Sequence, residues 1–228
     1  GVQMAVAQPR LEMTPQQHSF VVNPLTQGER VLLVLAWRND WLSVDGANPA
    51  VPNVAQRAFL AMPAAGRDVD TVAQDLAEAR GAIRMAIRPD HVVVQISAPR
   101  AGIETTLEIA RSLLTMPQYD PRWVAVRADE LAEVMTRARS NDRVAMWETA
   151  RLAALGQGPL YNMLTLPDDA LTREVSAPEL LAWHRQVLGR APVAMAAAGA
   201  LTTDQAGRYL DSLLPGVAPA APAPLVAA

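Results

Sequence analysis

Arg30-Val-Leu-Leu-Val-Leu-Ala-Trp37 is the stretch that decides the fold. One charge leads into an unbroken apolar run of strand length. Loop chemistry then stops it: Asp45-Gly46, Asn48-Pro49 and Pro52-Asn53 follow closely. A continuous apolar run bounded by turn residues reads as a buried strand.

Working outward, residues 54–62 form a short apolar helix closed by Pro63 and Gly66. Val69, Val72, Leu76 and Ala79 recur at helical spacing, and Gly81 ends that helix. Residues 83–88 and 91–97 flank Pro89-Asp90, the signature of a hairpin. Ile103, Leu107, Ala110 and Leu114 carry the next helix, stopped by Pro117. A longer one over residues 121–139 places Val124, Leu131, Met135 and Ala138 on one face, and residues 144–155 form another before Gly156-Gln-Gly158-Pro159. Ser176-Ala-Pro-Glu179 is a capping box opening a helix to Leu188, residues 192–198 form a small-residue strand, and Thr202-Thr-Asp-Gln205 caps a final helix. The tally gives an α+β fold: a mixed, largely antiparallel sheet with helices on one face. Residues 1–25 read as an N-terminal arm with a short strand at 19–23. Residues 26–215 read as one domain, and residues 216–228 as a Pro/Ala-rich linker or tail.

Composition removes several chemistries. Of 228 residues, 50% are hydrophobic and 19% charged, enough apolar matter for a core. There is no cysteine, so disulfides, thiolate catalysis and Cys-type zinc sites are excluded. All 20 basic residues are arginine, which excludes a Schiff-base or P-loop lysine. The net charge of −3 gives no electrostatic reason to expect nucleic acid. The longest apolar runs are strand-sized, so no membrane span is expected. The N-terminus shows no export signal, and its start at Gly1 and its proline-rich end suggest a piece of something longer.

Catalytic candidates are few. His18, His91 and His184 lie in separate elements and read as ordinary surface or hairpin histidines rather than metal ligands. No Gly-x-Ser-x-Gly elbow occurs, and Gly156-Gln-Gly158 is too short for a dinucleotide fingerprint. Glu130, Glu133 and Arg137 share a helix face as salt-bridged decoration, and Asp168-Asp169 follows Pro167 as a turn. Trp37, Trp123, Trp147 and Trp183 sit near apolar stripes and are expected in the core, with Trp41 exposed.

The order of elements resembles one domain of the insulinase/pitrilysin zinc metallopeptidases, the group that includes the mitochondrial processing peptidase. The resemblance runs from about Gln27 to Leu214 and rests on several phrases. They are Gly28-Glu-Arg-Val-Leu-Leu, Ala58-Phe-Leu-Ala61-Met62, the helix between Gly66 and Gly81, residues 107–118, Asn141-Asp142, Gly158-Pro-Leu-Tyr161, and Ser176-Ala-Pro-Glu-Leu-Leu. The family's motif is His-x-x-Glu-His, two zinc ligands and a general base. Laid over this sequence, those positions fall on Ala58, Ala61 and Met62, which can neither bind zinc nor accept a proton. The third ligand would align with Glu130 or Glu133. The family's substrate-gripping Arg and Tyr belong to another domain type and are not assigned to Arg151 or Tyr161.

The resemblance therefore implies a domain or subunit without catalytic or metal residues of its own, inactive alone. It would form part of a chamber for peptide hydrolysis, with zinc and general base in a companion domain or subunit. Its substrate-binding residues are unassigned. The alternative is a stand-alone assembly or protein-binding module that kept the fold.

Overall fold

The computed structural model describes residues 8–25, 28–44, 46–156, 164–165 and 167–219. The Gly158-Pro-Leu-Tyr161 phrase and the tail from residue 220 lie outside the described residues, as do Gln27 and Asp45.

Six strands form one sheet: β1 (Arg10–Met13), β2 (Ser19–Pro24), β3 (Arg30–Arg38), β4 (Ala82–Ile87), β5 (His91–Pro99) and β6 (Ala194–Gly199). Their order is β1-β2-β6-β3-β5-β4. The β2–β6 pairing is parallel and every other pairing antiparallel, so the sheet is mixed and largely antiparallel. The opening stretch occupies its middle. β3 pairs with β5 from Arg30↔Pro99 to Arg38↔His91, and with β6 from Val31↔Gly199 to Ala36↔Ala194. Gly199 makes the β6 approach possible. It has φ +105°, and a Cβ there would stand 2.1 Å from the Arg30 carbonyl oxygen.

Among the described residues the helices are α1 (Val51–Ala58), α2 (Val69–Glu78), α3 (Ile103–Thr115), α4 (Pro121–Arg139), α5 (Asp142–Leu155), α6 (Asp169–Arg173), α7 (Ala177–Val187) and α8 (Thr203–Ser212). Both expected capping boxes are present, Ser176 with Glu179 and Thr202 with Gln205. The Pro89-Asp90 hairpin closes with Arg88 N–H donating to the His91 carbonyl at 2.8 Å. Alternate strand residues Val31, Leu33, Leu35, Trp37, Val92, Val94 and Ile96 are buried in the core with Phe59, Leu113, Leu180 and Trp183. Among the described residues no helix is long and apolar enough to cross a membrane.

Four local readings change. First, α1 starts and ends earlier than the sequence suggests. Pro52 lies in the first helical turn, where its missing N–H costs nothing, and Asn48 Oδ1 accepts from Ala50 N–H at 2.9 Å. Second, the arm supplies two strands. β1 is short, pairs among the described residues with β2 alone, and lacks a buried period that would announce it. Their connecting turn docks on α8, where Gln16 N–H donates to Asp211 Oδ2 at 2.9 Å. Third, Asp168-Asp169 opens a helix. Asp168 Oδ1 caps α6, while Asp169 binds Arg139 and accepts from Thr136 at 2.9 Å. Fourth, Trp41 is buried, its indole N–H donating to the Asn48 carbonyl at 2.9 Å, whereas Trp123 and Trp147 are about half exposed. Trp123 sits in the first turn of α4 beneath the Arg127 guanidinium at 5.7 Å, and α5 buries no side chain among the described residues.

Candidate functional site

The place where the family's zinc motif would lie is apolar. α1 ends at Ala58, so Ala61 and Met62 lie beyond the helix that the sequence extended to residue 62. No residue from Val51 to Ala58 is His, Asp or Glu, so no other register on α1 supplies ligands either. Ala58, Phe59, Ala61 and Met62 are buried, while Leu60 is 43% exposed. Glu130 and Glu133 lie on the exposed side of α4, opposite its buried residues Val124, Ala128, Leu131, Ala132 and Met135. Glu130 pairs with Arg127 at 2.7 Å, and Arg137 donates to the Glu133 carbonyl rather than to a carboxylate. Among the described residues no three His, Asp or Glu side chains converge. These donors do not fit a zinc ion.

Two histidines read as surface residues are buried instead. His18 is 3% exposed in the β1–β2 turn, its Nε2 3.1 Å from the Val217 carbonyl oxygen. His184 is 2% exposed on α7, where Ala177, Leu180, Trp183 and Val187 form a buried stripe. Its Nε2–H donates to the Leu114 carbonyl at 2.8 Å, so in the neutral ring Nδ1 accepts from Tyr119 Oη–H at 3.0 Å. Phe59 stacks on the same ring. Burial holds His184 down at a pKa of about 4, only partly offset by the Leu114 bond, and pushes the Tyr119 hydroxyl up. Both ring nitrogens are occupied, so His184 joins α3, α7 and the end of α1 rather than binding a metal. His91 stays at the hairpin, 2.6 Å from Asp90, whose carboxyl it holds below the usual range.

The surface with something to offer is the face of the sheet turned away from the core. Its residues follow from register. Leu32 pairs with Ser97 and Ala198, Val34 with Gln95 and Ala196, Ala36 with Val93 and Ala194. The row extends through Val21 to Leu11 on one side, and through Gln95 to Arg84 on the other. An antiparallel face left to water ordinarily alternates to polar residues. Here the middle is apolar and small, and Leu32, Val21, Leu11 and Met13 are between 39% and 73% exposed. The unbroken run in β3 is thus two faces in one strand: one buried, one open. Elsewhere, a concavity of about 490 Å³ lies between the end of α4 and α5, lined by Ala138, Val144 and Trp147 with Arg143, Glu148 and Arg151.

The fold is shared with solved structures. A peptidase M16 inactive domain from Pseudomonas fluorescens superposes with a TM-score of 0.77 at 16% identity, over 94% of this chain and 52% of that one. The ferredoxin protease FusC, in complex with Arabidopsis ferredoxin, gives 0.71 at 16% identity, over 96% of this chain and 24% of its own. A conserved protein from Enterococcus faecalis V583 gives 0.70 at 8% identity, over 92% and 52%. No protein-family model matches the chain, and no curated protein matches it by sequence. The α+β fold is that of the M16, or pitrilysin-type, peptidase domain. This chain spans about half the length of the first and third of these structures and a quarter of the second.

Proposed function

We propose that this chain is a non-catalytic domain or subunit of a zinc metallopeptidase. It would supply part of the wall of a chamber for peptide hydrolysis, while a companion domain or subunit carries zinc and the general base. One observation carries the reading: a peptidase-domain fold keeps an open, apolar sheet face while the segment that the resemblance lays over a zinc helix holds no ligand. A zinc site polarises a carbonyl, but a long peptide must also be held in register beside it. A flat apolar wall can hold a chain and exclude water without touching the reacting atoms. The test is peptide cleavage by a His-x-x-Glu-His companion with and without this chain. Omitting the chain is expected to raise KM and lower kcat together. Unchanged cleavage, or chelator-sensitive cleavage by this chain alone, would count against the reading.

A second reading, a protein-binding or assembly module, is favoured by α5. Met146 and Trp147 are 60% and 53% exposed there, on a helix with no buried side chain among the described residues. Cleavage that is indifferent to this chain would favour it.

A further inference from the structure

The charges on the open sheet face are of one sign. Three charged side chains stand among its strand residues, Arg30 and Arg38 at the two ends of β3 and Arg84 on β4. None of them is ion-paired among the described residues, although the whole chain carries a net charge of −3. Arg30 leans along the face, its Nη2 donating to Ser97 Oγ and to the Arg80 carbonyl, each at 3.2 Å. Carboxylates near the margins include Glu29, beside the start of β3, Asp90, which is bound to His91, and Asp40, two residues past Arg38 and paired with Arg190.

Strand geometry sets Arg30 and Arg38 roughly 27 Å apart, with Arg84 about 10 Å to the side of β3. Leu32, Val34, Ala36 and Val93 form the floor between them. We infer that this face takes an acidic polypeptide segment, with apolar residues on the floor and carboxylates toward the arginine rim. A guanidinium offers a carboxylate two parallel N–H donors, so the rim favours carboxylates in both charge and shape. Basic segments meet three like charges and no carboxylate on the floor. The inference rests on the proposed chamber-wall role and adds the class of polypeptide that the wall selects.

The experiment uses the full chain and two fluorescein-labelled peptides of about ten residues, long enough to cross the face at roughly 3.3 Å per residue. One has an alternating apolar centre flanked by aspartates, and its twin has arginines instead. Anisotropy titrations at low and high salt are expected to show the acidic peptide bound more tightly, and weakened by salt. Arg38→Glu with Arg84→Glu should weaken the acidic peptide by roughly fivefold or more and favour its twin. Equal binding of the two peptides, lost in Leu32→Gln with Val34→Gln, would overturn the charge selection and leave the wall reading standing. Binding of neither peptide would overturn both. Tighter binding of the basic peptide would overturn the inference alone.

Discussion

Leu33 and Leu32 are neighbours on one strand and live in different environments. Leu33 is fully buried under the helices, and Leu32 is 39% exposed on the open side of the sheet. The same contrast runs through the molecule. On the helix side, shape is fixed by Trp37, Phe59, Trp183 and the His184 network. On the other side, apolar residues are spent on a surface that nothing in the described chain covers. The first set makes the fold, and the second is the surface to which the proposed function assigns the work. The expected consequences of disturbing each differ in kind, and that difference can be measured.

The largest effect is expected on the buried side. Leu33→Ala should cost about 3 kcal/mol, within the roughly 2–5 kcal/mol seen when a buried leucine is truncated. Met62, which is 1% exposed, should respond in the same range. Leu32→Ala, one residue from Leu33, should cost about 1 kcal/mol or less, because much of its side chain already meets water. Denaturant melts of the three variants check this. Equal losses at Leu32 and Leu33 would erase the distinction between the two faces.

Acid should act on the buried side as well. His184 titrates at about 4 in the folded chain, against an ordinary value of 6.5. Between those values the unfolded chain binds the extra proton and the folded chain does not. Stability from this group is therefore complete above about pH 6.5 and falls as the pH drops toward 4, by roughly 3 kcal/mol in all. The charged ring would also need to donate from Nδ1, where it now accepts from Tyr119. Stability measured from pH 7 to pH 4 should fall less steeply in His184→Gln than in the parent. Parallel curves would remove His184 from the account.

How much of this was legible in the sequence follows from the same contrast. The apolar run from Arg30 to Trp37, the hairpin at Pro89-Asp90 and both capping boxes are local signals, and each was met by the element it implied. The open face was hidden because an apolar residue facing outward reads like one facing inward. The only clue was arginine at both ends of β3 in the outward register, at positions 30 and 38. His184 was readable in principle, since Leu180, Trp183 and Val187 surround it at helical spacing. Trp147 was not. α5 scatters Val144, Met146, Trp147 and Leu152 among Arg143, Glu148 and Arg151 around its circumference, so the sequence marks no buried face, and no neighbour among the described residues buries Trp147.

The smallest structural effect should carry the largest functional one. Leu32→Gln with Val34→Gln places two polar side chains on the open floor without touching the buried set, so the melt should shift little. The decisive measurement is cleavage by a zinc-bearing companion reconstituted with this folded double variant in place of the parent chain. The account predicts a raised KM and a lowered kcat, approaching the values found with no chain added. Parent-like cleavage from a variant that melts like the parent would contradict the claim that the open sheet face is the working surface of this domain.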